Sequence, residues 1–303
     1  MVKPPYGVIW GLFQKGNVVP FLGAGASLVG RDSTTAWRGP SSNCLPTGRE
    51  LADYMANESE FPSQDEYDRR DLAKVSSYYA DISGRSRLKQ LLREVLSQER
   101  EPGPIHRLLA SVPANQVIVS TNYDTLIEQA FRDAGKPYDL VIYPSDRPDF
   151  GNSVMWWRYG EEEPRFVEPN LLAIDLSKTT LIYKMHGTVV RKKEEYDSYV
   201  VTEDDYVDFL SRMNTAVPPL LIQLFRARSF LFLGYGLRDW NLRVVLKNVS
   251  RHLVNRKEDD DLPSWAIQLD PSELECELWR NRKVRIFDVD LQEFVTRLRQ
   301  QGS

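Results

Sequence analysis

Four short stretches of the 303-residue chain set chemically capable side chains directly after an apolar run. In LIYKMHG, His186 follows a β-branched and aromatic segment and precedes Gly187; of the three histidines, with His106 and His252, it alone falls at the expected carboxyl end of a strand. A neutral imidazole accepts a proton near pH 7, although an isolated histidine can equally be a structural one. In VIVSTNYD, the run Ser120-Thr121-Asn122-Tyr123-Asp124 closes a strand-like segment and opens an amphipathic one. Asn122 and Asp124 can orient a ligand there, or simply cap the following helix. In VVPFLGAGAS, Gly23-Ala24-Gly25-Ala26-Ser27 offers backbone without Cβ obstruction and N–H groups able to face a phosphate. The third glycine of a GxGxxG fingerprint would fall at position 28, which is Leu28, so a plain tight turn stays open. In SFLFLGYGLRDWN, Gly234-Tyr235-Gly236 turns out of a fourth apolar run, and Asp239 is placed to cap a helix.

The elements that must position these residues are short continuous apolar runs: Val18–Leu22, Val117–Ser120, Tyr138–Tyr143, Thr179–Met185, Ser229–Leu233, Trp265–Leu269 and Val284–Phe287. Each has the length of a buried strand, and continuity rather than alternation suits a parallel sheet covered on both faces. Helical patterns lie between them. Thr47 and Glu50 form a capping-box signature for a helix over Arg49–Asn57. Tyr67–Tyr79 carries one apolar face, and Leu88, Leu91, Leu92, Val95 and Leu96 make a stripe, as do Trp240, Leu242, Val245, Leu246 and Val249 within Asp239–Leu253. The alternation predicts an α/β fold with a Rossmann-like, doubly wound parallel sheet, in which all four polar turns share the carboxyl edge where ligands bind.

Two stretches break the alternation. Residues 58–112 read as an inserted helical module over one sheet edge. Residues 144–178, rich in Pro, Glu, Trp and Arg, read as an irregular insert of the kind that serves as a lid or binding loop. The whole, residues 1–303, is expected to be a single domain. Net charge is −4, which gives no basic excess to drive nucleic-acid binding. The two cysteines, Cys44 and Cys276, match no metal-binding spacing and cannot build a four-cysteine zinc site. No signal peptide or membrane-spanning stretch is legible, so a cytoplasmic location is expected.

GAGAS, TNYD, the HG pair and the GYG turn, in this order, resemble the sirtuin family, and most of all its prokaryotic branch associated with NAD depletion in antiphage defence. The resemblance spans roughly residues 17–290, more loosely inside 58–112 and 144–178. It implies that Gly23, Ala24, Gly25, Ala26 and Ser27 bind the pyrophosphate and ribose of NAD. Asn122 would contact the nicotinamide ribose and position the attacking group, Asp124 would hold the carboxamide, and His186 would be the general base. Thr121 shares the same turn, and Gly234, Tyr235 and Gly236 would lie near the adenosine ribose.

Three departures bear on what the chain does with NAD. Residues 188–233, where sirtuin deacylases carry a zinc module, contain no cysteine. Thr121 stands where deacylases commonly have glutamine. The stretch LVGRDSTTAW lacks the proline–aspartate–phenylalanine–arginine signature, for which Leu45-Pro46 is a remote counterpart. The reaction expected is therefore hydrolysis of NAD, as substrate, to nicotinamide and ADP-ribose, without zinc. An NAD-dependent deacylase or ADP-ribosyltransferase and a non-catalytic NAD or ADP-ribose sensor are the alternatives. A Rossmann dehydrogenase is disfavoured, because no acidic residue sits about 20 positions beyond the glycines at a strand end. An enzyme that destroys NAD must be restrained. The expected restraint is homo-oligomerisation, a separately encoded ATPase partner such as HerA, or both, with Met155–Phe166 and the helical module as candidate surfaces.

Overall fold

The structure, a computed structural model, describes residues 3–32, 34–145, 152–235 and 263–302; backbone alone is described for residues 213–216. Gly236 and the expected helix Asp239–Leu253 lie outside the described residues.

Among the described residues the chain builds strands β1 (Val18–Leu22), β2 (Val117–Ser120), β3 (Tyr138–Ile142), β4 (Val154–Trp157), β5 (Arg165–Val167), β6 (Thr180–Lys184), β7 (Gly187–Thr188), β8 (Ser198–Tyr199), β9 (Ser229–Leu233), β10 (Ser264–Gln268) and β11 (Val284–Asp288). Nine of them form one sheet in the order β11-β10-β9-β1-β2-β6-β3-β4-β5. The seven from β11 to β3 run parallel, and β4 and β5 close one edge as an antiparallel ribbon. Every residue of β1, β2, β6 and β9 is buried, as continuous apolar strands covered on both faces must be.

The helices are α1 (Tyr6–Gln14), α2 (Gly48–Glu58), α3 (Glu66–Arg70), α4 (Leu72–Ser83), α5 (Arg85–Leu96), α6 (Pro104–Ser111), α7 (Leu126–Asp133), α8 (Glu203–Ala216), α9 (Pro219–Ala227), α10 (Glu273–Arg280) and α11 (Leu291–Arg299). Ile9 and Phe13 of α1, Leu108 of α6, Phe131 of α7 and Phe294 of α11 pack with Val18, Ile118 and Leu231 on one sheet face. Phe209 of α8, Phe225 of α9 and Trp279 of α10 pack with Phe21, Val119, Tyr183 and Phe232 on the other. The chain is thus an α/β protein with a Rossmann-like sheet. β2 follows β1 on one side of the sheet, whereas β9 returns to the other side of it, so the direction of winding reverses at β1. Ligand crevices open at such reversals.

A third cluster, with Met55 of α2, Val75 of α4 and Leu92 of α5 at its centre, lies over the carboxyl edge and takes in Val189, Tyr199 and Val201. Its first helix starts at the expected capping box, with Glu50 N to Thr47 Oγ1 at 3.1 Å and Thr47 N to Glu50 Oε2 at 2.8 Å. α6 packs against the sheet rather than into this cluster. The Tyr67–Tyr79 pattern is interrupted at Asp71, whose carboxylate accepts from Ala73 N and Lys74 N and so ends α3 and starts α4. The stretch read as irregular contains β4 and β5, anchored where Trp156 Nε1 donates to Asp139 Oδ2 at 2.9 Å. No helix among the described residues is long and apolar enough to cross a membrane.

Candidate active site

The carboxyl ends of β9, β1, β2 and β6 are adjacent, and they deliver Gly234, Gly23, Thr121 and, one residue past Met185, His186 to one edge. The two glycine turns are bonded to each other. Gly23 N donates to Leu233 O at 3.0 Å and Gly25 N to Gly234 O at 2.9 Å. Those two N–H groups therefore hold the turns together rather than facing a ligand. Gly234 has φ of +75°, and a Cβ on it would lie 2.0 Å from Ala26 N, so the close approach of the turns requires glycine. Tyr235 locks the same junction: its hydroxyl donates to Leu22 O at 3.1 Å, lies 2.7 Å from Thr121 Oγ1, and its ring packs 5.4 Å from that of Phe21.

Asn122, Ser27 and Asp124 form a directed chain. Gly23 O can only accept, so the Asn122 amide nitrogen must face it; Nδ2 donates there at 3.0 Å and to Ser27 Oγ at 2.9 Å. Ser27 Oγ in turn donates to Asp124 Oδ2 at 2.8 Å. With both N–H bonds of Asn122 committed, its Oδ1 is the atom left to act on a ligand. Asp124 Oδ1 accepts from Leu126 N at 3.0 Å, so this carboxylate also caps α7. The capping and site readings of Asp124 thus describe the same carboxylate.

Below the turn lies a buried ion pair. Lys184 Nζ, at the end of β6, donates to Asp124 O and stands 3.4 Å from Glu128 Oε1. Both side chains are almost wholly buried. Neither belongs to the four polar turns, although a lysine closing a strand-like run is a signal in the sequence, since lysine is almost never buried without a partner.

His186 is held by a small accessory ladder. β7 pairs with β8, and Val200 N donates to His186 O at 2.9 Å. Gly187 has φ of +89° and a Cβ there would sit 2.0 Å from Ser198 O, which explains the HG pair sterically. The imidazole meets Tyr206 and Phe209 edge-on, with ring centroids 5.4 and 5.3 Å away. Its Nε2 is buried and has no hydrogen-bond partner among the described residues. Burial in this aromatic setting pushes its pKa down to about 3, so the ring is neutral at pH 7.

These groups line one cleft of about 1310 Å³, which reaches from Ala24, Gly25 and Ser27 past Asn122, Asp124 and His186 to Tyr206. Its roof comes from the helical cluster, through Pro46–Arg49, Leu51 and Arg70–Ala73. The cleft is therefore wide enough for a dinucleotide. The sequence marks Pro46 as a remote signature counterpart and Thr47 as a helix cap, but nothing in it brings them, Arg70–Ala73 or Tyr206 to the cleft, because elements remote in sequence deliver them. Ala26 is fully buried behind the first turn and holds it through Ala26 N to Gly23 O at 2.9 Å. Among the described residues no group of three or more His, Cys, Asp or Glu could hold a metal ion.

A reversal of winding beside an amide–hydroxyl–carboxylate chain and a desolvated imidazole marks an α/β protein of the Rossmann-like class. A family model described as "SIR2-like domain" matches residues 116–287, and the chain belongs to that family. It is 29% identical over 238 residues to the NAD(+) hydrolase ThsA of Enterococcus faecium, a match covering 78% of this chain and 40% of that protein. It is 28% identical over 233 residues to the NAD(+) hydrolase ThsA of Cytobacillus dafuensis, covering 77% and 38%. It is 24% identical over 280 residues to the defense-associated sirtuin 2 of Bacillus subtilis, covering 91% and 23%. The chain thus spans about two fifths or less of the length of these relatives.

Proposed function

We propose that this chain hydrolyses NAD to nicotinamide and ADP-ribose as an effector of antiphage defence. The observation that carries the reading is the cleft in which the Asn122–Ser27–Asp124 chain occurs together with the His186 Nε2, which has no partner among the described residues. Relatives named as NAD(+) hydrolases and as a defense-associated sirtuin support it.

In this reading the bond between ribose and nicotinamide breaks as positive charge develops on the ribose, in an oxocarbenium-like state. Nicotinamide leaves neutral. Water supplies the new oxygen and releases one proton. Asn122 Oδ1 accepts from a ribose hydroxyl or from the attacking water and fixes its direction. Asp124 holds the carboxamide by exchanging the Ser27 hydroxyl for an amide N–H. His186 is a weak base while it is desolvated, so its part is to accept a hydrogen bond from a ribose hydroxyl and pass the proton on once the filled cleft is polar. In this scheme Ala24, Gly25 and Ser27 carry the pyrophosphate and its ribose, and Gly234 and Tyr235 lie near the adenosine ribose. Zinc has no part in this scheme. Restraint by homo-oligomerisation or by a separately encoded ATPase belongs to the same reading, since unrestrained turnover would kill a healthy cell.

Incubation with NAD and chromatography of nicotinamide and ADP-ribose tests it. Products are expected from the wild type, and a loss of about 100-fold or more from Asn122→Ala and His186→Ala. Equal turnover in Asn122→Ala would overturn the site. Nicotinamide release that requires an acylated peptide would shift the reading to a deacylase. Binding of NAD by the full assembly without turnover would make the protein a sensor.

A further inference from the structure

A second cavity, of about 500 Å³, opens beside α7. Among the described residues none lines both it and the large cleft, yet the two meet across one turn: Asp124 lines the cleft and Thr125 the cavity. Three of its lining residues carry buried polar atoms without a hydrogen-bond partner among the described residues. These are Thr125 Oγ1, both carboxylate oxygens of Glu128, and Arg191 Nε. Glu128 is 2% exposed, and Lys184 at 3.4 Å is within ion-pair reach of it but outside hydrogen-bond geometry. A buried carboxylate with two idle oxygens is costly to leave so, and it marks a place built to receive donors. Arg191 is only loosely engaged, with its guanidinium 3.5 Å from Glu99 Oε1 and 3.3 Å from Gln98 O. Trp157 and Tyr159 add aromatic wall, and Lys192 adds a second cation next to Arg191.

We propose that this cavity is a second nucleotide site, with ribose hydroxyls on Glu128 and Thr125, phosphate on Arg191 and Lys192, and the base against Trp157 and Tyr159. Each pairing follows from the chemistry of the wall. A vicinal diol offers the two donors that one carboxylate accepts, as acidic residues do for ribose in dinucleotide folds. Guanidinium and ammonium groups are suited to phosphate oxygens. Aromatic side chains stack bases. A volume of about 500 Å³ suits a mononucleotide. Occupancy is felt at the neighbouring site, because Glu128 shares Lys184 with the Asp124 carbonyl. Hydroxyls that donate to Glu128 weaken its hold on Lys184 and strengthen the bond from Lys184 to the turn. That consequence for turnover rests on the hydrolase reading; the binding site does not.

Calorimetric titration of the full chain with AMP tests the site directly, without turnover. AMP is expected to bind wild type and Asn122→Ala equally, and to bind Arg191→Ala/Lys192→Ala at least about tenfold more weakly. Lys192→Ala alone, an exposed position, serves as the variant that leaves folding untouched, with a smaller loss of the same sign. Adenosine and inorganic phosphate, titrated separately, are each expected to bind at least about tenfold more weakly than AMP, since each supplies only part of the contacts. Competition by ADP-ribose in the Asn122→Ala background assigns the site to the reaction product, and failure to compete assigns it to a free mononucleotide; both keep the site. No AMP binding, AMP binding unaffected by the Arg191 and Lys192 changes but lost in Asn122→Ala, or phosphate binding as tight as AMP would each overturn it.

Discussion

Ser27 Oγ donates to Asp124 Oδ2 at 2.8 Å across 97 residues of sequence, and so ties the loop after β1 to the turn after β2. The same oxygen accepts from Asn122 Nδ2 at 2.9 Å, so one hydroxyl sets the orientation of both polar residues of that turn.

Replacing this hydroxyl is expected to cost activity without costing the fold. Ser27→Ala removes the proton that Asp124 accepts and the acceptor of one Asn122 N–H, while the Asn122 bond to Gly23 O and the Asp124 bond to Leu126 N survive. Nicotinamide release should fall roughly 10- to 100-fold, mainly in kcat, and Ser27→Thr should restore much of it because the hydroxyl returns. The kcat and KM of the two variants, beside their melting temperatures, check this. A Ser27→Ala protein with wild-type kcat would remove Ser27 from the site.

How much of this was visible beforehand follows from where the signal resides. The runs at β1, β2, β6 and β9 are continuous and β-branched or aromatic, so their burial and parallel pairing were legible, and with them the convergence of the polar turns. α1 was not read as a helix, because Pro4-Pro5 and two glycines mask it; its place comes from Ile9 and Phe13 packing on the sheet. β4 and β5 were hidden among Trp, Arg and Glu, since an edge ribbon needs little apolar alternation once β3 supplies its partner. The role of the glycines was half legible. Their need for close approach was visible, but not that the first turn spends the Gly23 and Gly25 N–H groups on the second. Nothing local announces Tyr206 against His186, because that contact exists only after α8 has packed.

Glu50 gives the roof over the cleft an acid limit. Its carboxylate pairs with Arg31 at 2.5 Å and accepts from Thr47 N and Trp37 N at 2.8 and 3.1 Å. The Arg31 bond, with these backbone donors, lowers its pKa to about 2. A carboxyl group whose folded pKa is depressed binds fewer protons folded than unfolded, so its stabilisation is complete above the ordinary value of 4.5 and is lost as pH falls towards 2. Hydrogen exchange in α2 is therefore expected to accelerate across that window in wild type and much less in Glu50→Gln, which has lost the contribution at every pH. Equal acid sensitivity in the two would refute the assignment.

The Lys184–Glu128 pair should behave as a buried pair does when one member is removed. Lys184→Met leaves the Glu128 carboxyl without its ion-pair partner in a setting that is almost closed to water, and strips the Asp124 carbonyl of its donor. Stability is expected to drop by about 3–5 kcal/mol, and Lys184→Met/Glu128→Leu to recover much of it, because the buried carboxyl left without a partner has gone. Turnover should stay low in both, since the turn has still lost its Lys184 bond. Urea unfolding gives the first comparison and initial rates give the second. Recovery of rate along with stability would mean that Lys184 does nothing for the turn beyond holding the fold.

The buried histidines set a second and separate response to acid. Burial lowers His186 to about 3, and burial lowers His106 to about 4, with Asp124 partly opposing the shift. Both lie below the ordinary value of 6.5, so between the folded and unfolded values the unfolded chain holds protons that the folded chain does not. Stability contributed by a neutral histidine is complete above about pH 6.5 and declines as pH falls, at roughly 1.4 kcal/mol per pH unit for each ring in the steep part. This window opens at higher pH than that of Glu50, so the part between 6.5 and 4.5 belongs to the histidines alone. His186→Gln should remove one ring's share of the slope between pH 6 and about 4, and His106→Gln the other. Denaturant unfolding at half-unit pH steps reads the slopes directly. An unchanged slope in His186→Gln would mean that the imidazole titrates normally, and hence that it is hydrated rather than desolvated between Tyr206 and Phe209.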